Sequence, residues 1–191
     1  LDEGDELDWV ALTDGTKKIM VATKKGFAIT FEENDARVIG RTARGVKAIS
    51  LRDGDEVTGM CILEEGKKVL TISETGFGRR SEIDNYRIQS RGGKGLTNYK
   101  TELYGDVAAV SMIDDNEDII IISSDGIIIR IKASDISTFS RTSKGVRVMK
   151  VSEGEKVSAF SITAHDAEEK TDELEISEED ALRAKYVIGE K

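Results

Sequence analysis

The chain has 191 residues, 34% of them charged, with a formal charge of −9 and no proline at all. That length allows one or two domains with a substantial core, and no apolar run approaches the ~20 residues that a membrane helix needs. A lone Cys61 excludes an internal disulfide framework, suits a reducing compartment and makes cytoplasmic the expected location.

The first eight residues, "LDEGDELD", hold five acids and no base. With neither an initiating methionine nor a basic-then-apolar leader, the expectation is a piece excised from something longer. Residues 164–191 hold ten acids and four bases, which leaves 22 acids against 24 bases for residues 9–163. The body is therefore close to neutral between two acidic ends, and overall charge is a poor guide to its partners. Without proline, turns fall to Gly, Asn and Asp.

A repeat of fifty residues organises the body. Gly26, Gly76 and Gly126 are fifty apart, as are Gly45, Gly95 and Gly145, and Arg41, Arg91 and Arg141. The openings also agree: "GDELDWVAL" at 4, "GDEVTGMCI" at 54, "GDVAAVSMI" at 105 and "GEKVSAFSI" at 154. Units of about 4–53, 54–104 and 105–153 follow, with a closing strand at 154–163. Within the third unit, "VAAVSMI", "DIIIISS", "GIIIRIKASDI" and "GVRVMKV" read as short strands, separated by the turn signals "MIDDNED" and "SSDG". Four strands per fifty residues predicts an all-β chain of propeller-like blades over 1–163. Residues 164–191 lack that alternation; they read as a solvated acidic tail, with Ser177 before Glu178, Glu179 and Asp180 as an alternative helix start.

The chemistry lies in one loop of each unit: "RTARG" (41–45), "RGGKG" (91–95) and "RTSKG" (141–145). Each gives a cation, two small residues, a second cation (Arg44, Lys94, Lys144) and a glycine. Glycine at the fifth place fits a bend with positive φ before the last strand. Two cations flanking exposed amides make a seat for phosphate, and no array of Asn, Gln and Arg suited to reading base edges accompanies them. A solubilising surface hairpin is the plainer reading of any one loop; turn chemistry alone does not ask for two cations in all three. Arg79, Arg80 and Arg130 fall on predicted third strands. They either widen the basic track or mark a solvated strand face. Lys47 and Arg147 alternate with apolar neighbours and mark the outward face.

The stretch "QSRGGKG" (Gln89, Ser90, Arg91, Gly92, Gly93, Lys94, Gly95) resembles the glutamine-arginine-glycine heptad called the gyrase box, found in the C-terminal domain of the DNA gyrase A subunit. The resemblance extends over residues 1 to about 163, through "GRTARGVKAI" and "SRTSKGVRVM". It departs at Ser90, where the family's heptad has a basic residue. The complete box belongs to the first blade of the family, so this copy reads as a degenerate second one, in the middle of the last three repeats. The resemblance implies a β-pinwheel, a propeller relative whose neighbouring blades exchange a strand and whose basic rim wraps double-stranded DNA. As partners it implies the gyrase B subunit together with the rest of the gyrase A subunit; in the type IIA topoisomerase holoenzyme that it implies, ATP and Mg are handled elsewhere. The corresponding domain of topoisomerase IV is the nearest alternative; the retained "RGGKG" and the acidic tail favour gyrase.

No catalytic constellation emerges. His165 is the sole histidine, so neither a triad nor a zinc site can be assembled, and a hairpin turn accounts for Asp114, Asp115, Glu117 and Asp118. Tyr86, Tyr99, Tyr104 and Tyr186 lie in no context resembling the family's DNA-cleaving tyrosine. No cofactor is expected in this piece. A propeller-like scaffold for protein partners is the alternative from another class, although rim loops of such a scaffold should differ from blade to blade. Half a ring would also expose sheet edges, so self-association is expected.

Overall fold

The structure, a computed structural model, describes residues 6–40 and 42–165; Arg41 and the acidic tail from residue 166 lie outside the described residues. The first repeat supplies a hairpin, β1 (Lys18–Thr23) and β2 (Phe27–Glu32). From the second come β3 (Val57–Leu63), β4 (Lys68–Ser73), β5 (Phe77–Ser81) and the short β6 (Leu96–Thr97). The third gives β7 (Val107–Ile113), β8 (Glu117–Ser123), β9 (Ile128–Lys132) and β10 (Val146–Arg147), and β11 (Val157–Ala164) follows. Among the described residues the chain is all-β but for three 3-10 turns and one four-residue helix, Thr101–Tyr104.

Sheets do not coincide with sequence repeats. The first sheet runs β3-β1-β2-β6, the second β10-β5-β4-β7 and the third β11-β8-β9. Each hairpin thus takes its inner strand from the opening of the next repeat. In the first two sheets the outer strand comes from that repeat's end: Phe27 and Ala28 face Thr97 and Leu96, and Gly78 and Phe77 face Val146 and Arg147. The fold is a β-pinwheel in which neighbouring blades exchange strands.

Period-two alternation decides what each strand buries. On β1, Met20 and Ala22 join Val69, Tyr99, Val107 and Met112 between the first and second sheets, while Val21 faces Ile29, Phe31 and Ile49 on the other side. Leu70, Ile72, Ile119, Ile121, Met149 and Val157 fill the space between the second and third sheets. Inner strands approach closely: a Cβ on Gly59 of β3 would lie 2.7 Å from the Val110 carbonyl of β7.

Both ends of the array differ from its middle. Residues 6–13, whose counterparts are β3, β7 and β11, form no strand, and Leu12 is 97% exposed. Those counterparts each pair with a hairpin of the preceding repeat, and no described residues supply one here. At the other end, β9 has no outer strand among the described residues, and Ile128 is 64% exposed.

Candidate nucleic-acid interface

Strand exchange carries the second and third basic loops onto the outer edge of the blade before each. Loop 91–95 enters β6 on the edge of β2, and loop 141–145 enters β10 on the edge of β5, at equivalent places on successive sheets. Their glycines make the approach possible. Gly95 (φ +72°) and Gly145 (φ +83°) sit where a Cβ would come within 2.7 Å of the Ala28 carbonyl and 2.2 Å of the Gly78 carbonyl. The expectation of positive φ fails at Gly45, which has nothing within 4 Å. The bend closes against a neighbouring sheet edge, and Gly45 has none among the described residues.

The first cations of the second and third loops also fasten blades together. Arg91 donates from Nε to the Asp35 carbonyl (2.7 Å) and from Nη1 to the Lys47 carbonyl (3.2 Å). Fifty residues on, Arg141 Nη1 donates to the Thr97 carbonyl, the counterpart of Lys47. Both residues are half-buried, so part of each guanidinium is spent within the protein. The second cations, Arg44, Lys94 and Lys144, are exposed. Lys144 Nζ lies 3.8 Å above the Phe77 ring, which Arg147 approaches at 4.6 Å, and Arg52 covers Phe27 at 3.1 Å. These rings hold the cations at the rim without neutralising them. Ser90 is exposed, while Gln89 pairs its backbone amide with the Thr30 carbonyl and buries a side-chain Nε2 that has no hydrogen-bond partner. Gly92 and Gly93 lie half-buried against the preceding repeat.

Three arginines read as a possible basic track have other surroundings, and for two of them the reading is corrected. Arg79 is 0% exposed and Arg80 6%. The Arg79 guanidinium meets five acceptors: the carbonyls of Asn98, Arg141 and Ser143, the Asn98 Oδ1 and the Ser81 hydroxyl. All are neutral. Arg80 pairs with Asp115 and donates to the carbonyls of Ile136 and Ser134, tying the second sheet to the third. Arg130 is exposed, but its Nε meets Asp118 at 2.8 Å, so its charge is balanced in place. A basic residue on an alternating strand reads as outward-facing; the sequence signal to the contrary was that Arg79 stands where the other repeats have Ile29 and Ile129.

Other contributors were legible but passed over. Segments 36–52, 86–101 and 136–152 contain no acid at all, and Lys100 and Lys150 repeat at a spacing of fifty. Arg52, Lys47, Arg147, Lys100 and Lys150 are exposed and extend the cationic surface beyond the three loops. Burial pushes the Cys61 thiol up to about 12, and among the described residues no group of His, Cys, Asp and Glu stands ready to hold a metal.

A family model described as the DNA gyrase C-terminal domain, β-propeller, matches residues 17–60, 67–114 and 117–164. The DNA gyrase A subunit of Halalkalibacterium halodurans is 58% identical over 50 residues, and that of Haloquadratum walsbyi 51% over 49; each stretch is 26% of this chain and 6% of the relative. Among solved structures, the C-terminal domain of DNA topoisomerase IV superposes on all of the chain with a TM-score of 0.80 at 20% identity. The DNA gyrase A C-terminal domain superposes on 78% of it with a TM-score of 0.69 at 24% identity. The chain covers 57% and 51% of those two domains, a likeness of fold.

Proposed function

Since this chain belongs to the family of DNA gyrase C-terminal domains, we propose that it binds duplex DNA without reading its sequence and curls it along the rim. What carries this reading is the equivalent seating of loops 91–95 and 141–145 on successive blades, each in an acid-free segment with an exposed lysine. Smoothly bending a 20–30 base-pair site by 40–90° costs about 1–6 kcal/mol. A single basic patch would hold the duplex straight; cations spaced from blade to blade reward only a duplex that follows them. Backbone amides and flexible lysines suit phosphate oxygens rather than base edges.

In this reading the domain works within a gyrase holoenzyme, beside the B subunit, together with the rest of its own A subunit. It presents wrapped DNA for ATP-dependent negative supercoiling in the cytoplasm and performs no chemistry itself. Fluorescence anisotropy of a labelled duplex titrated at several salt concentrations tests it. If three loops neutralise about six phosphates, log K against log salt has a slope near −5. No binding at about 50 mM salt would leave the protein-scaffold reading in its place.

A further inference from the structure

Neighbouring basic loops are joined at two junctions, built from equivalent segments and closed by different groups. Between the segment that follows loop 41–45 and loop 91–95 main chain pairs directly: Gly92 N donates to the Ala48 carbonyl at 2.6 Å and Ser50 N to the Gly93 carbonyl at 2.9 Å. Fifty residues on, the corresponding carbonyls belong to Asn98 and Ser143. Both accept from the buried guanidinium of Arg79, which also takes the Arg141 carbonyl. Under the first junction the place of Arg79 is held by Ile29, whose Cδ1 lies 3.5 Å from where a Cβ on Gly93 would stand.

We propose that Arg79 is a positioning residue which sets the separation and tilt between the second and third basic loops, so that bending of DNA across this junction depends on it. The proposal rests on the DNA-wrapping reading above. Arg79 is fully buried and cannot itself meet a phosphate. Its planar fork spans acceptors on both sides of the junction, Asn98 on one and Arg141 and Ser143 on the other, which a lysine ammonium could not serve in the same geometry. Because every acceptor is neutral, the positive charge beneath the two loops is left standing, where a carboxylate partner would have cancelled it. Ile29, at the same place in the first sheet, shows that a blade takes its outer strand without a cation there. What Arg79 adds is therefore specific to how loop 141–145 sits beside the exit of loop 91–95.

A duplex carrying donor and acceptor dyes at its ends separates bending from binding. Wild-type protein should raise energy transfer as it binds. Arg79→Ile should fold, bind with the wild-type salt slope because no phosphate contact is lost, and lose most of the rise in energy transfer at saturation. Wild-type bending by this variant would overturn the proposal. So would a slope reduced by about one, the mark of a direct phosphate contact. Should Arg79→Ile fail to fold by circular dichroism, Arg79→Lys decides the matter. It keeps the charge and most of the volume, and is expected to lose bending at an unchanged slope; full bending would mean that charge alone suffices, against the proposal. Wild-type protein that does not bind DNA would sink the wrapping reading itself, whereas wild-type and variant proteins that bend DNA alike would sink only the role of Arg79.

Discussion

The first and third basic loops carry nearly the same letters, "RTARG" and "RTSKG", yet take different structures. In the third, Thr142 and Ser143 are half-buried, Gly145 turns with φ +83° and the chain enters β10 on the edge of β5. In the first, residues 42–45 are exposed, Gly45 has no positive φ and no strand follows. The motif therefore does not encode its own conformation. It encodes readiness to be shaped by a sheet edge, and where that edge is supplied by the preceding hairpin the cations come to rest in register.

Glycine substitutions break this comparison most sharply. Gly145→Ala places a methyl group 2.2 Å from the Gly78 carbonyl at a φ that alanine disfavours, so it should destabilise the protein by more than about 1 kcal/mol. Gly45→Ala meets open space and should stay within about 0.5 kcal/mol of wild type. Denaturant melts of the two variants check this, and equal losses would mean that the first loop also closes on a neighbour.

The contrast also marks what a reader of the sequence could see. Fifty-residue spacing, β-branched runs and the turn glycines made the all-β blades plain, because each is a local or periodic signal. Which sheet received each strand was not local: β6 pairs with β2 across more than sixty residues of chain, and a two-residue strand has no periodicity to read. Arginine burial was hidden for a related reason. Arg79 lies on a strand whose alternation suggested solvent, and only the carbonyls of two distant loops turn that position into an interior one. Arg91 and Arg141 were legible as repeated cations, but their service as staples to the preceding repeat needed the neighbouring carbonyls of Lys47 and Thr97.

A subtler test removes one atom. The Tyr99 hydroxyl donates to the Lys144 carbonyl at 2.9 Å, adding to the hold on the third loop, while the residue in the equivalent relation to the second loop is Ile49, which has no hydroxyl to give, and the first loop has no such donor among the described residues. Tyr99→Phe should cost about 0.5–1.5 kcal/mol and raise amide exchange within 142–145, leaving 42–45 unchanged. Protection that falls equally in both loops would show that the loss is global rather than a loosening of one junction.

The smallest effect concerns the sheet that has no outer strand among the described residues. There Asp118, on β8, accepts from Arg130 Nε of β9 at 2.8 Å and from His165 Nδ1, just past β11, at 2.9 Å, so one buried carboxylate pins all three strands. The other two sheets carry Lys18 and Lys68 at the equivalent place. Burial alone would raise the Asp118 carboxyl, but the hydrogen bonds and charges of His165 and Arg130 hold it below its usual value of 3.8. A carboxyl depressed in the folded state contributes stability that is complete above its unfolded value and lost as pH falls through the lower folded one. The excess melting temperature of wild type over Asp118→Asn should therefore shrink from about pH 4 downward. Thermal melts from about pH 5 to about pH 2 read this directly, and an excess that persists undiminished at the acid end would mean that the two strands flanking β8 are held by side-chain packing rather than by charge.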